Sequence, residues 1–265
     1  MKTLLYLGVF TTLMFSCKKD SDPVLDPDDN LIEIAKSNSV DGLYQIKILS
    51  GEALYVGYNT LKVELKKVGS GEVISNASVS LVPMMDMGTM MHSCPIESNL
   101  VETSENNKYT FRPTFVMPST DMASWALNFT AVIGNESTLF KVPIEVKEPE
   151  EPKLVMFEDI DNSKKYFIAL TEPASPSIGV NDIKVAVYTK KSMMEWPAVD
   201  GLSFTIEPWM PSMDHGSPNN VAPVSMGAGL YQGEVNFTMS GEWEIKLEAF
   251  ENENKIGEAM YTISF

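Results

Sequence analysis

Apolar and polar residues alternate along most of this chain. Leu61, Val63 and Leu65 are separated by Lys62 and Glu64, Tyr109 and Phe111 flank Thr110, and Trp125, Leu127 and Phe129 recur at the same step. A period of two places one face of an extended strand in a core and the other in solvent. The segments are short, are broken by Gly, Asn, Pro and Ser, and nowhere give way to a run of helical period. The pattern predicts an all-β chain.

Two stretches depart from the alternation. The first opens the chain: Met1-Lys2-Thr3, a largely apolar run from Leu4 to Phe15, then Ser16-Cys17-Lys18-Lys19-Asp20. A charged start, about a dozen apolar residues and a small residue make a secretory signal, too short to cross a bilayer as a stable helix. With a cysteine directly after it, the segment resembles a bacterial lipoprotein signal, which implies that Cys17 is lipidated as the first residue of the mature chain. Met14 and Phe15 stand where an aliphatic and then a small residue are usual, and plain secretion with loss of Cys17 is the alternative. Either way the protein leaves the cytoplasm. Asp20, Asp22, Asp26, Asp28 and Asp29 interleave with Pro23 and Pro27, too polar a mixture to offset its ordering entropy. Residues 1–16 are thus expected to be a signal peptide, and residues 17–37 a lipidated Cys17 with a flexible acidic tether. A tether of this kind resembles the surface-export signals of Bacteroidetes-type lipoproteins.

The second departure is Lys147-Glu148-Pro149-Glu150-Glu151-Pro152-Lys153, which has charge and proline but no apolar period. It reads as a linker over 148–153 between domains at 38–147 and 154–265. The same features recur in order on both sides. Val56-Gly57-Tyr58-Asn59-Thr60-Leu61-Lys62-Val63 matches Ile178-Gly179-Val180-Asn181-Asp182-Ile183-Lys184-Val185. A strand ending at Pro83 or Pro208 follows, then a methionine-bearing loop. After it come strands led by Tyr109 or Tyr231, then Met117 or Met239, then strands led by Trp125 or Trp243. About seven short strands per copy fit two tandem immunoglobulin-like β-sandwich domains.

Composition narrows the function. A net charge of -16 has the wrong sign for binding phosphate backbones, which disfavours a nucleic-acid partner. Two His and two Cys cannot build serial zinc modules. Neither half holds two histidines, as a blue-copper site needs, and the chain has no Gly-x-Ser-x-Gly elbow. The expectation is a protein without catalysis.

The unusual number is 17 methionines, seven of which fall in two loops of the repeat. The first loop is Pro83-Met84-Met85-Asp86-Met87-Gly88-Thr89-Met90-Met91-His92-Ser93-Cys94-Pro95. The second is Pro208-Trp209-Met210-Pro211-Ser212-Met213-Asp214-His215-Gly216-Ser217-Pro218. Both histidines of the chain lie in them, each followed by the pattern His-x-x-Pro. Thioether sulfur is a soft neutral ligand that selects Cu(I), imidazole binds Cu(I) as well, and methionine, unlike thiolate, is not lost to disulfides outside the cytoplasm. The expected copper ligands are Met85, Met87, Met90, Met91 and His92 in one loop, and Met210, Met213 and His215 in the other. Asp86 and Asp214 are harder and better suited to orienting an imidazole. Trp209 offers an indole face to a cation.

Met210-Pro211-Ser212-Met213-Asp214-His215 resembles the Met-Pro-x-Met-x-His loop of FixH/YtkA-like domains, small extracytoplasmic β-sandwiches. The resemblance implies a copper-associated role. The first loop departs from it: Met84-Met85-Asp86-Met87 lacks the proline, and Met87 to His92 is a step of five positions against two from Met213 to His215. The expected protein is lipid-anchored in the cell envelope, at the outer membrane, with copper-transport or other envelope proteins as partners. Blander readings apply elsewhere. Met117, Met122, Met226 and Met239 suit core filling. Met193-Met194-Glu195-Trp196 suits an apolar loop on the sandwich, and Cys94 suits, in that order, a buried apolar position, a reactive thiol or an extra Cu(I) ligand. The rival to copper binding is a cell-surface interaction module using the methionines as an adaptable apolar surface.

Overall fold

The computed structural model describes residues 30–102, 105–159, 161 and 163–265. The expected signal peptide, Cys17 and the polar stretch up to Asp29 lie outside the described residues. Residues 31–265 form one compact unit, and its regular elements are all strands. In the first half these are β1 (Ile32–Asn38), β2 (Tyr44–Ser50), β3 (Gly57–Tyr58), β4 (Leu61–Lys67), β5 (Ser78–Asp86) and β6 (Met91–His92), followed by β7 (Leu100–Val101), β8 (Tyr109–Phe111), β9 (Thr114–Phe115), β10 (Ser124–Ile133) and β11 (Glu136–Ile144). The second half has β12 (Leu154–Glu158), β13 (Lys165–Glu172), β14 (Gly179–Thr189), β15 (Ser203–Met210) and β16 (His215–Gly216). It continues with β17 (Val221–Gly227), β18 (Leu230–Phe237), β19 (Glu242–Glu251) and β20 (Asn254–Ser264).

The duplication seen in the sequence is a duplication of sheet order. One sheet of each half runs β1-β2-β4-β8 or β12-β13-β14-β18, the latter extended by β17. The facing sheet runs β11-β10-β5-β6 or β20-β19-β15-β16. Where the second half has continuous β14 and β18, the first has β4 and β8 with the separate ladder β3-β9. In the second half Asn181 pairs with Val235 at this point. The matching residue in the first half is Pro113, which has no amide to donate and interrupts the ladder. Small devices repeat as well. The Asn59 side chain donates to the carbonyls of Tyr55 and Gly57, and Asn181 does the same to Ser177 and Gly179. The Tyr109 hydroxyl accepts from Ala77 N–H and donates to the Ile74 carbonyl, while Tyr231 bridges Leu202 N–H and the Val199 carbonyl.

Each half has its own core, one around Leu61, Val63, Leu81, Phe111, Trp125 and Phe129, the other around Val185, Val235, Phe237, Trp243, Ile245 and Leu247. The alternation is as the sequence implies: Leu61, Val63 and Leu65 are buried and Lys62 and Glu64 are not. β13 is different, because five consecutive residues, Tyr166 to Leu170, are buried. Tyr166, Ile168 and Leu170 enter the second core, while Phe167 joins Ala186 and Tyr188 in a cluster with Tyr58 and Val116 of the first half. Both faces of this strand are covered because the halves pack against each other.

Two sequence expectations are corrected. The tether stops short of residue 37, since β1 begins at Ile32, pairs with β2, and sets Ile34 and Ala35 against the first core. The linker over 148–153 is anchored at both ends. Lys147 exchanges hydrogen bonds with Val56 and Leu54 at 2.9 and 2.8 Å, and the Lys153 carbonyl accepts from Leu170 N–H at 2.8 Å. The methionine loops also begin later than Pro83 and Pro208. The inward alternation Val79, Leu81, Pro83, Met85 continues through the proline, and so does Phe204 to Met210, with Ile206 half-buried between. A proline does not end a strand where its missing amide is not required by the partner strand.

Candidate metal centre

Each histidine sits on the second arm of a hairpin at the end of the Trp-bearing sheet. His92 pairs in register with Met85, which pairs on its other side with Trp125; His215 pairs with Met210. The His92 ring meets Trp125 edge-on at 5.4 Å and 89°, and the His215 ring meets Trp243 at 5.7 Å and 77°. The indole N–H of Trp125 donates to the Met117 carbonyl at 2.9 Å, and that of Trp243 to the Met239 carbonyl at 3.0 Å. The Nδ1 of His92 lies 2.8 Å from the Ser93 carbonyl and that of His215 lies 2.8 Å from the Gly216 carbonyl. A carbonyl can only accept, so Nδ1 carries the proton and, in the neutral ring, the lone pair is on Nε2.

The two hairpins then differ. His92 is 4% exposed, and its Nε2 is buried without a hydrogen-bond partner. It lines a cavity of about 490 Å³ whose wall also includes Met87, Met90, Met117, Met156 and Met193, together with Val56, Val116, Leu154, Phe167, Trp196, Glu148 and Lys190. Lys190 Nζ stands over the Trp196 ring at 5.3 Å. His215 is only half-buried, Met213 is 58% exposed, and Met210 is buried in the second core. The loop with the fuller motif therefore has the more open histidine, and the loop with the poorer motif has the enclosed one.

The expected ligands are only partly brought together. Met87 and Met90 share the cavity with His92. Met85 is fully buried in the first core, and Met91, next to His92 along β6, is half exposed on the opposite side of the strand. Asp86 does not orient an imidazole; its Oδ1 accepts from Gly88 N–H at 2.8 Å and shapes the turn. Asp214 is a left-handed turn residue (φ 55), and the Gly216 carbonyl takes the role expected of it. Trp209 alternates with Met210 along β15, so it points away from the buried side and lines a separate cavity with Glu207, Glu244, Lys246 and Met260. Cys94 is buried, and loss of solvation pushes its thiol well above the ordinary value.

Sequence reading missed Met117, Met156 and Met193 as cavity residues. The repeat did carry a signal for Met117, which holds the position of Met239 after the Tyr-led strands. Met193 lay in a Met-Met-Glu-Trp run whose face could not be read without knowing how the halves pack. Among the described residues no three of His, Cys, Asp and Glu gather in a cluster fit to hold a metal. A metal in the His92 cavity would depend on thioether sulfur beside the one imidazole.

Two β-sandwich cores in tandem, each with a Met/His hairpin at the end of one sheet, define the class of protein. The YtkA-like family model matches residues 160–248, from before β13 into β19 and including the Met210–His215 hairpin, which supports one YtkA-like domain in the second half. Among curated proteins none matches. Solved structures with low-level similarity include domains 5–6 of the S-layer protein SbsC, at 13% identity over 89% of this chain and 99% of that chain, with TM-score 0.30. A C-terminal 282-residue fragment of intimin, solved with the intimin-binding domain of the translocated intimin receptor, is 12% identical over 88% and 63%, with TM-score 0.24. Red sea bream transglutaminase is 11% identical over 89% and 31%, with TM-score 0.22.

Proposed function

We propose that this is a lipid-anchored, extracytoplasmic, non-catalytic protein of the cell envelope that binds Cu(I) through its Met/His hairpins, to acquire, hold or deliver cuprous ion. The observation that carries this reading is His92. Its Nδ1 is used by the Ser93 carbonyl, its Nε2 is buried and unpartnered, and the residue lines a cavity rich in methionine. A buried polar atom without a partner costs roughly 1–3 kcal/mol, a penalty that coordination of a metal would remove. One imidazole with several thioethers is a soft donor set, matched to Cu(I) rather than to Zn(II), Mg(II) or Ca(II). The YtkA-like match supports an extracytoplasmic domain, though of uncertain role.

The test is competition for Cu(I) against a chromogenic chelator. The protein should retain up to two ions, with His92→Ala removing one and His215→Ala with Met213→Ala removing the other. No retention by the intact protein would refute the reading. A second reading, an interaction module, draws on methionines that face outward: Met91 is 50% exposed, Met122 86% and Met226 65%. It expects a partner whose capture is lost on Met-to-Ala change and indifferent to His-to-Ala change and to copper.

A further inference from the structure

We infer that the His92 centre belongs to both halves of the chain, with Met156 and Met193 of the second half completing its thioether set. The inference rests on the Cu(I) reading above and goes beyond either hairpin taken alone. The hairpin itself cannot supply the set its sequence suggests. Met85 is committed to the core and Met91 points to the other side of β6, so only Met87 and Met90 of that loop reach the cavity beside His92. The rest of the wall is shared, with Val116 and Met117 from the first half and Met156, Met193 and Trp196 from the second.

Met193 is held there by the backbone. Ser93 N–H, one residue after His92, donates to the Met193 carbonyl at 2.8 Å. The loop that carries Met193 is closed on itself by Lys191 N–H and Ser192 N–H, both donating to the Glu195 carbonyl at 3.0 and 3.2 Å, and by a Lys191–Glu195 ion pair at 2.7 Å. Met156 arrives by strand alternation. Its neighbours Val155 and Phe157 on β12 pack on the second core, so Met156 turns to the other face, where Leu154 packs on the first core. Met156 and Met193 are 52% and 41% exposed although they line a cavity. With three rotatable bonds each, such side chains can swing inward to an ion with little backbone movement. An ion held in this way fastens the first half to the second, and copper occupancy becomes linked to the stability of the junction.

The experiment uses the full chain carrying His215→Ala and Met213→Leu, so that only the His92 centre is read. In this parent, Cu(I) competition should give one retained ion, and the ¹³C-methyl signals of Met156 and Met193 should move as Cu(I) is added. Met156→Leu with Met193→Leu keeps apolar volume at half-exposed positions and should weaken retention by at least the roughly tenfold that even a supporting group contributes to metal affinity. Loss of retention in the parent itself would overturn the Cu(I) reading at this centre. Retention unchanged by the two leucines, with both methyl signals unmoved, would overturn the sharing between halves and leave the Cu(I) reading standing.

Discussion

Replacing Tyr231 with Phe removes one oxygen and leaves the ring in place, so the cost of that oxygen can be worked from its two hydrogen bonds. The hydroxyl accepts from Leu202 N–H at 3.1 Å and donates to the Val199 carbonyl at 2.9 Å. Leu202 is 6% exposed and Val199 8%, so water does not readily replace the lost partner. A buried donor left unsatisfied costs about 1–3 kcal/mol, and the carbonyl adds less because it has a second lone pair. The expected destabilisation is about 2 kcal/mol, or about 4–8 °C in Tm at the roughly 2–4 °C per kcal/mol of a chain this size. Tyr109→Phe should cost a similar amount, because its hydroxyl bridges Ala77 N–H and the Ile74 carbonyl at 2.9 and 3.2 Å. Urea unfolding followed by tryptophan fluorescence reads both variants, with Trp125 buried in one core and Trp243 in the other. Losses below about 0.5 kcal/mol at both positions, the range of neutral surface changes, would refute the claim that the two hydroxyls are matched structural bridges.

Gly233→Ala drives a Cβ into the Val221 carbonyl oxygen, in the bulged β17–β18 pair, so thermal melting should show a loss of about 1–3 kcal/mol; an unchanged Tm would refute the close approach. Hydrogen bonds from Ser39 and Thr138, and then from Leu43 N–H, hold the Asp41 carboxyl below its ordinary 3.8. Its stabilising contribution is therefore full above that value and is lost as pH falls through the lower folded value. Asp41→Asn should flatten the dependence of the urea midpoint on pH below about 4, and an identical slope in the variant would count against the assignment. Cys94 should resist an aromatic disulfide reagent in the native protein and react on unfolding, because burial disfavours its thiolate. Labelling of Cys94 at the unfolded rate under native conditions would contradict its placement.

The strand class, the order of the two copies and their core residues were legible because they rest on local alternation, which each segment states by itself. Pro83 and Pro208 misled because proline breaks a strand only where its amide is needed, and that depends on the partner strand. The acidic tail masked β1 in the same way, since two alternating isoleucines carry little weight beside a long polar stretch. At the candidate centre, residue chemistry identified His92, Met87 and Met90 but not which methionines share their space. Met156 and Met193 lie 64 and 101 positions after His92 in sequence and share its cavity only through the packing of the halves, which leaves no periodic trace. Matching the Met-Pro-x-Met-x-His pattern also favoured the second hairpin, whereas enclosure of the imidazole, a tertiary property, is greater in the first.

The central proposal is Cu(I) bound by the His92 imidazole and thioether sulfur. X-ray absorption at the copper edge of the full chain carrying His215→Ala and Met213→Leu, loaded with one equivalent of Cu(I), tests this most directly. The predicted result is a cuprous edge with one nitrogen and two or three sulfur neighbours, the nitrogen lost in His92→Ala. Copper surrounded only by oxygen and nitrogen, or a spectrum unchanged by His92→Ala, would contradict it.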